Sequence, residues 1–192
     1  MTKERTLVII KPDGVQRNLI GEVIQRYEKV GLKLVGTKML VPTDDQAKKH
    51  YTTDPDWVEK TGKKVLEIAN KEGNSIEEGE KILKRLSRYI TAGPIVCMVW
   101  EGVHAVEVVR KITGGTEPKT SDVGTIRGDY VIDSYELANI DDRSVRNIVH
   151  ASGTVEEAKI EIDHWFDKGE IVKYTLIQDA VLYSADLKGI VE

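Results

Sequence analysis

Hydrophobic residues along this chain change their period several times, and each change marks an element. Thr6 to Ile10 is a largely β-branched run that Lys11-Pro12-Asp13-Gly14 ends, a strand entering a turn. Ile20, Val23, Ile24, Tyr27 and Val30 keep helical spacing until Gly31 stops them. Leu32 to Leu40 predicts a second strand, broken by Val41-Pro42-Thr43-Asp44. Thr43 or Asp44 is placed to cap a short helix through Tyr51. Two further helical patterns, Val65-Ile68-Ala69 and Ile82-Leu83-Leu86-Tyr89-Ile90, flank the breaker Gly73-Asn74-Ser75. Pro94 to Trp100 is a continuous apolar run and predicts a central buried strand. Ala105, Val108, Val109 and Ile112 form the next helix face, which Gly114-Gly115 ends.

From Gly114 to about Arg143 little periodicity remains, and loops this long inside a compact domain are usually functional or interfacial. Ile148 and Val149 read as a short buried strand ending at His150, and Ser152-Gly153 as a turn. Thr154-Val155-Glu156-Glu157 reads as a capping box that opens a helix. Strands and helices alternate with no internal repeat or low-complexity linker. That predicts one α/β domain, a small sheet under helices.

The 192 residues suffice for a real core, and 40% hydrophobic with 31% charged content is ordinary for a soluble protein. A net charge of −4 gives no reason to expect nucleic acid as a partner, so any anion site must be local. The single Cys97 sits in an apolar run, which excludes an intrachain disulfide and fits a reducing compartment. Leu7 to Ile10 is too short for a signal segment or a membrane span. The expectation is a cytoplasmic protein with no membrane partner.

Neither Gly-rich phosphate cradle, Gly-x4-Gly-Lys-Ser/Thr or Gly-x-Gly-x-x-Gly, is present. A phosphate ligand would therefore depend on side chains. Lys11 at a strand end, Arg110 in the last turn of a helix, Thr116 beyond it and Arg127 in the long loop are candidates. Each has a plainer explanation taken singly: Arg110 complements a helix dipole, and Arg127 could pair with Asp129 on the surface. On the helix after His150, Thr154, Glu157, Ala158 and Glu161 share a face, so Glu161 could point back at the imidazole. A histidine held by a carboxylate through one nitrogen presents the other as a nucleophile. His50, His104 and His164 read as surface or rim residues, and Trp100 and Trp165 as packing.

Glu4-Arg5-Thr6-Leu7-Val8-Ile9-Ile10-Lys11-Pro12-Asp13-Gly14-Val15-Gln16-Arg17, Gly124-Thr125-Ile126-Arg127-Gly128-Asp129 and Arg146-Asn147-Ile148-Val149-His150 together closely resemble the nucleoside diphosphate kinase family. The resemblance runs through residues 4–51 and 82–166, more loosely to about 176, and breaks at 52–81. It implies a ferredoxin-like, mainly antiparallel four-stranded sheet covered by helices, in one domain spanning 1–192 with a helical insertion at about 52–81. It implies a ping-pong phosphotransferase that moves the γ-phosphate of a nucleoside triphosphate, usually ATP, to a nucleoside diphosphate through a phosphohistidine. His150 falls on the phosphorylated position, Glu161 on the carboxylate that orients it, and Ser152 beside that carboxylate. Arg110, Thr116 and Arg127 fall on phosphate-binding positions, Lys11 and Asn147 on those for the ribose 3′-hydroxyl and transferring phosphate, and Tyr51 on a supporting position. No Asp/Glu cluster offers a protein-only metal site, so Mg²⁺ would arrive on the nucleotide. The family also implies a homo-hexamer or homo-tetramer, with the loop at 114–143 making contacts between subunits. The alternative is a ferredoxin-like nucleotide-binding regulator that has lost turnover.

The chain departs from the family in three places. A Phe that commonly stacks on the base is missing, since the one Phe is Phe166, and Ile82 and Leu86 fall near the base-contacting positions. Val145 stands where a Gly is usual. The insertion mixes Lys60, Lys63, Lys64, Lys71 and Lys81 with Glu59, Glu67, Glu72, Glu77, Glu78 and Glu80, the signature of a solvated helical hairpin. Its Val65, Ile68, Ala69 and Ile76 must pack on a neighbouring helix or another subunit. The hairpin is either peripheral or brings Trp57 over the base in place of the Phe.

Overall fold

The computed structural model describes residues 2–52 and 54–187. Strand β1 (Glu4–Ile10) leads into α1 (Pro12–Gln16) and α2 (Ile20–Glu28), followed by β2 (Lys33–Leu40) and α3 (Asp44–Tyr51). The hairpin α4 (Trp57–Ala69) and α5 (Ser75–Ile90) precedes β3 (Ile95–Gly102) and α6 (Ala105–Thr113). Two short helices, α7 (Ile126–Tyr130) and α8 (Tyr135–Ile140), interrupt the long polar stretch. They are one and a half turns each, too short to leave a readable period. Then come β4 (Val149–Ala151), α9 (Val155–Trp165) and a tail carrying α10 (Asp179–Tyr183).

The sheet order is β2-β3-β1-β4, and every pairing is antiparallel, as the ferredoxin-like expectation required. β1 and β3 are apolar throughout because both faces are covered. Val8, Ile10, Val96, Met98 and Trp100 meet Val23 and Tyr27 of α2 and Val109 of α6. Leu7, Ile9, Ile95, Cys97 and Val99 meet Ala47 of α3, Ile90 of α5 and Ile162 and Trp165 of α9. Each such side chain contributes about 1.5–3 kcal/mol on burial. The pairing Val8↔Ala151, Ile9↔His150 and Ile10↔Val149 sets the end of β1, with Lys11, beside the end of β4, with His150. Ile148 lies just outside β4 in a left-handed conformation (φ 48°), so it turns the chain into the strand instead of belonging to it.

Capping follows the sequence signals with one change. Thr43 forms a full capping box with Gln46. Thr154 accepts from Glu157 N, but the Glu157 side chain accepts from Gly153 N at 2.6 Å, one residue earlier than a box requires. Asn74 caps α5 by accepting from Ile76 N and Glu77 N. α4 and α5 cross at backbone distance: a Cβ on Gly62 would overlap the Ser75 carbonyl, and one on Gly79 the Val58 carbonyl. Val65 is half-buried and Ile76 half-exposed, while the side chains of Ile68 and Ala69 lie outside the described residues. Arg85 pairs with the Asp142 carboxylate and Arg88 donates to its carbonyl at 2.7 Å, tying α5 to the stretch after α8.

Candidate active site

Two cavities meet around His150, Tyr51 and Leu86, which line both. The smaller, about 180 Å³, is also lined by Lys11, Arg110, Thr116, Arg127 and Asn147. Lys11 caps α1, is 5% exposed, and donates from Nζ to Asn147 Oδ1 at 2.6 Å. Burial lowers its ammonium to about 7, with the Arg127 charge adding to the effect and Asp13 opposing it. The amide of Asn147 in turn donates to the Thr116 carbonyl at 3.0 Å. The loop is held from below by Tyr89, whose hydroxyl donates to Asp13 and accepts from the backbone N–H groups of Asn147 and Ile148.

Arg127 is not the surface partner of Asp129. Asp129 pairs with Arg26 instead, and Arg127 is 8% exposed. Its guanidinium donates to the carbonyls of Gly114, Gly115, Asn147 and Val149 at 2.6–3.4 Å. Four of five N–H groups are thus spent on main chain, so Arg127 fastens the loop after α6 to the entry of β4 and has one N–H unengaged among the described residues. Burial and the neighbouring Arg110 lower its pKa to about 10, against opposing phenol charges. Arg110, by contrast, is exposed at the last turn of α6, and Thr116 is exposed at the mouth.

At the other end, Nε2 of His150 lies 2.8 Å from Oε1 of Glu161, an ion-pair distance without the alignment of a hydrogen bond. Glu161 is 1% exposed, and its second oxygen accepts from Ser152 Oγ at 2.6 Å. The carboxylate is therefore fixed from two sides, and Nδ1, on the opposite edge of the His150 ring, is the nitrogen left for chemistry. The i, i+3, i+4, i+7 face of α9 does bring Glu161 to His150.

His50 corrects the sequence reading. It is 2% exposed, not a rim residue, and its ring stands edge-on to that of His150 at 4.5 Å. Trp165 Nε1 donates to its Nδ1 at 3.3 Å. Burial holds its pKa well below the usual histidine range, and the charges of His150, His164 and Lys11 push the same way. Its i, i+3 spacing from Ala47 puts it on the buried face of α3, but the lysines beside it leave no pattern that sets it apart from a surface histidine. His104 is exposed, and His164 is half-buried with Nε2 2.9 Å from the Gln46 carbonyl. Tyr51 packs on His50 at 4.8 Å, and burial, then the Glu161 charge, raises its pKa.

The larger cavity, about 530 Å³, is lined by His50, Asp54, Trp57, Glu157, Ile160 and Glu161 besides the shared residues. Trp57 lies 6.2 Å from the Tyr51 ring and faces this cavity, not the smaller one.

Residues 4–171 match the family model for nucleoside diphosphate kinase. A nucleoside diphosphate kinase of Pyrobaculum aerophilum is 42% identical over 183 residues, covering 90% of this chain and all of that one. One from Borreliella burgdorferi is 41% identical over 174 residues, covering 91% and 93%. Among solved structures, an NDP kinase from Pyrobaculum aerophilum superposes with a TM-score of 0.84 at 39% identity, covering 90% of this chain and 100% of its own. A transition-state mimic of the Borrelia burgdorferi enzyme with vanadate and ADP gives 0.80 at 38% identity, covering 93% and 96%. With a sheet of the same kind, a match across most of its length and relatives well above 30% identity, the chain belongs to the nucleoside diphosphate kinase family, phosphotransferases that move a γ-phosphate from nucleoside triphosphates to nucleoside diphosphates.

Proposed function

We propose that His150 carries the phosphoryl group between the two half-reactions, attacking through Nδ1. The observation that supports this most is the clamp on its other nitrogen: Nε2 faces a buried carboxylate that Ser152 fixes in turn. Glu161 orients the ring and offsets the positive charge that grows on it as the N–P bond forms. The triphosphate lies in the smaller cavity, its γ-phosphate next to His150 and its other phosphates toward Arg110 and Thr116. Lys11 and Asn147, already bonded to each other, take the ribose 3′-hydroxyl and the transferring phosphate, Tyr51 supports that phosphate, and Arg127 offers its remaining N–H. Phosphoryl transfer passes through a loose, in-line transition state, so catalysis is positioning plus charge neutralisation.

Among the described residues lining the smaller cavity there is no carboxylate, and Lys11, Arg110 and Arg127 are present beside His150. Mg²⁺ therefore fits this site only as a passenger on the nucleotide, held by phosphate oxygens and water. When bound it neutralises phosphate charge. We read the chain as one kinase domain with residues 52–81 inserted, acting with ATP as usual donor, as a cytoplasmic homo-hexamer or homo-tetramer. Among the described residues no helix is long and apolar enough to cross a membrane. The relatives above are kinases by name, which gives the alternative of a regulator without turnover no support.

Incubation with γ-labelled ATP and no acceptor is the test. The protein should gain acid-labile, alkali-stable label, and His150→Ala should gain none while still binding nucleotide. Labelling of His150→Ala would place the nucleophile elsewhere.

A further inference from the structure

His150 and Glu161, placed above in phosphoryl transfer, share the wall of the larger cavity with a buried histidine that the reaction does not use, His50. His50, His150 and Glu161 each bring one donor atom to within 4.8 Å of the others. All three residues line the cavity of about 530 Å³, and the His150 nitrogen that faces Glu161 is buried in its wall. Glu161 Oε1 is 2.8 Å from His150 Nε2 and 3.6 Å from His50 Nδ1. A tetrahedral ion with bonds of about 2.0–2.1 Å sets its ligand atoms about 3.3 Å apart. Those two separations bracket that edge, and the third, between one nitrogen of each imidazole, is within 4.8 Å. Nε2 of His150, the nitrogen that faces Glu161, has no aligned hydrogen-bond partner among the described residues. Open polar capacity of this kind is costly inside a protein. Two imidazoles and one carboxylate suit zinc or cobalt, whereas magnesium prefers an octahedron of oxygens.

We propose that His50, His150 and Glu161 form a three-ligand site for a divalent transition-metal ion of the zinc and cobalt class, with water in the fourth position. His50 would give up its long 3.3 Å bond from Trp165 to coordinate through Nδ1. The ion acts as an off-switch, a consequence that rests on Nδ1 of His150 being the nucleophile. Metal on Nε2 uses that nitrogen's lone pair, so a neutral imidazole must keep its single proton on Nδ1. The attacking nitrogen then has no lone pair to offer. Holding the ion and attacking phosphorus exclude each other.

The test titrates Co²⁺ into metal-free, unphosphorylated protein. One equivalent per chain should produce the intense visible bands of a four-coordinate centre, displaced by Zn²⁺ and not by Mg²⁺. His50→Gln should weaken binding about tenfold or more. Because a buried substitution can disturb the fold, X-ray absorption on zinc-loaded wild-type protein gives an independent reading and should find two imidazoles and a carboxylate oxygen. Six-coordinate or oxygen-only zinc, or Co²⁺ affinity indifferent to His50→Gln, overturns the site. Stoichiometric four-coordinate binding that leaves labelling by Mg-ATP undiminished keeps the site and overturns the proton placement on Nδ1, which separates the two failures.

Discussion

Lys11 shows how one side chain is set for its ligand. Its ammonium is buried, with a pKa near 7 in the empty site. At pH 8 most of it is neutral, and a phosphate arriving beside it favours the charged form, so nucleotide binding should take up a proton. Below pH 7 the group is already charged, and uptake from this source should vanish. Calorimetry at pH 8 in buffers of different ionisation enthalpy should report this uptake for the wild type and its loss in Lys11→Met. Equal heats in every buffer would show that Lys11 stays charged when the site is empty. The residues of this site were unequally legible in the sequence. Glu161 could be placed from helical spacing alone, because seven residues return to the same face. His50 could not, since Lys48 and Lys49 beside it are polar and only tertiary packing against Trp165 and His150 buries it. The four carbonyl partners of Arg127 come from the loop after α6 and from the entry and first residue of β4, and no local pattern records such a convergence.

Among elements, the α4–α5 hairpin carries its own determinant. Its ends were readable from Gly73-Asn74-Ser75, with Asn74 as the cap, but its closeness was not. Glycine inside a helix ordinarily costs about 1 kcal/mol relative to alanine, so Gly62→Ala and Gly79→Ala should stabilise an isolated helix. Here each added methyl meets a carbonyl oxygen of the partner helix. Overpacking typically costs about 1–3 kcal/mol. For a chain of this size that corresponds to a fall in melting temperature of roughly 2–12 °C. Thermal denaturation of both variants checks it, and a rise in Tm would mean that the helices do not cross at backbone contact. The short helices α7 and α8 escaped the sequence reading for the opposite reason. Five and six residues cannot display a 3.6-residue period, and their caps, Thr125 and Ser134, are indistinct in a stretch rich in Ser, Thr and Asp.

At the scale of the whole molecule, alternating strands and helices announced the α/β class, the antiparallel four-stranded sheet came only with the family resemblance, and the strand order only with the structure. Periodicity says that a strand is buried and not which strand lies beside it. The stretch around α8 leaves Ile132, Leu137 and Ile140 exposed at 99%, 46% and 75%. Apolar surface of this kind suits contact between subunits. Light scattering should therefore give four or six chain masses for the wild type, and Ile132→Asp should lower that number. An unchanged mass would remove this stretch from the interface. The sheet order also has a consequence for the chain as it is made. β1 is the inner strand between β3 and β4, yet it is synthesised first, and Leu7 bonds to Ser152 across 145 residues of sequence. At about 5–20 residues per second, that separation takes roughly 7–30 s to emerge from a ribosome. For that interval the β4 edge of Leu7-Val8-Ile9-Ile10, a fully buried segment of the finished protein, stays unpaired, and until β3 emerges its other edge does too. The nascent chain is most exposed to aggregation then, and it cannot hold a nucleophile in register until nearly all of it has been translated.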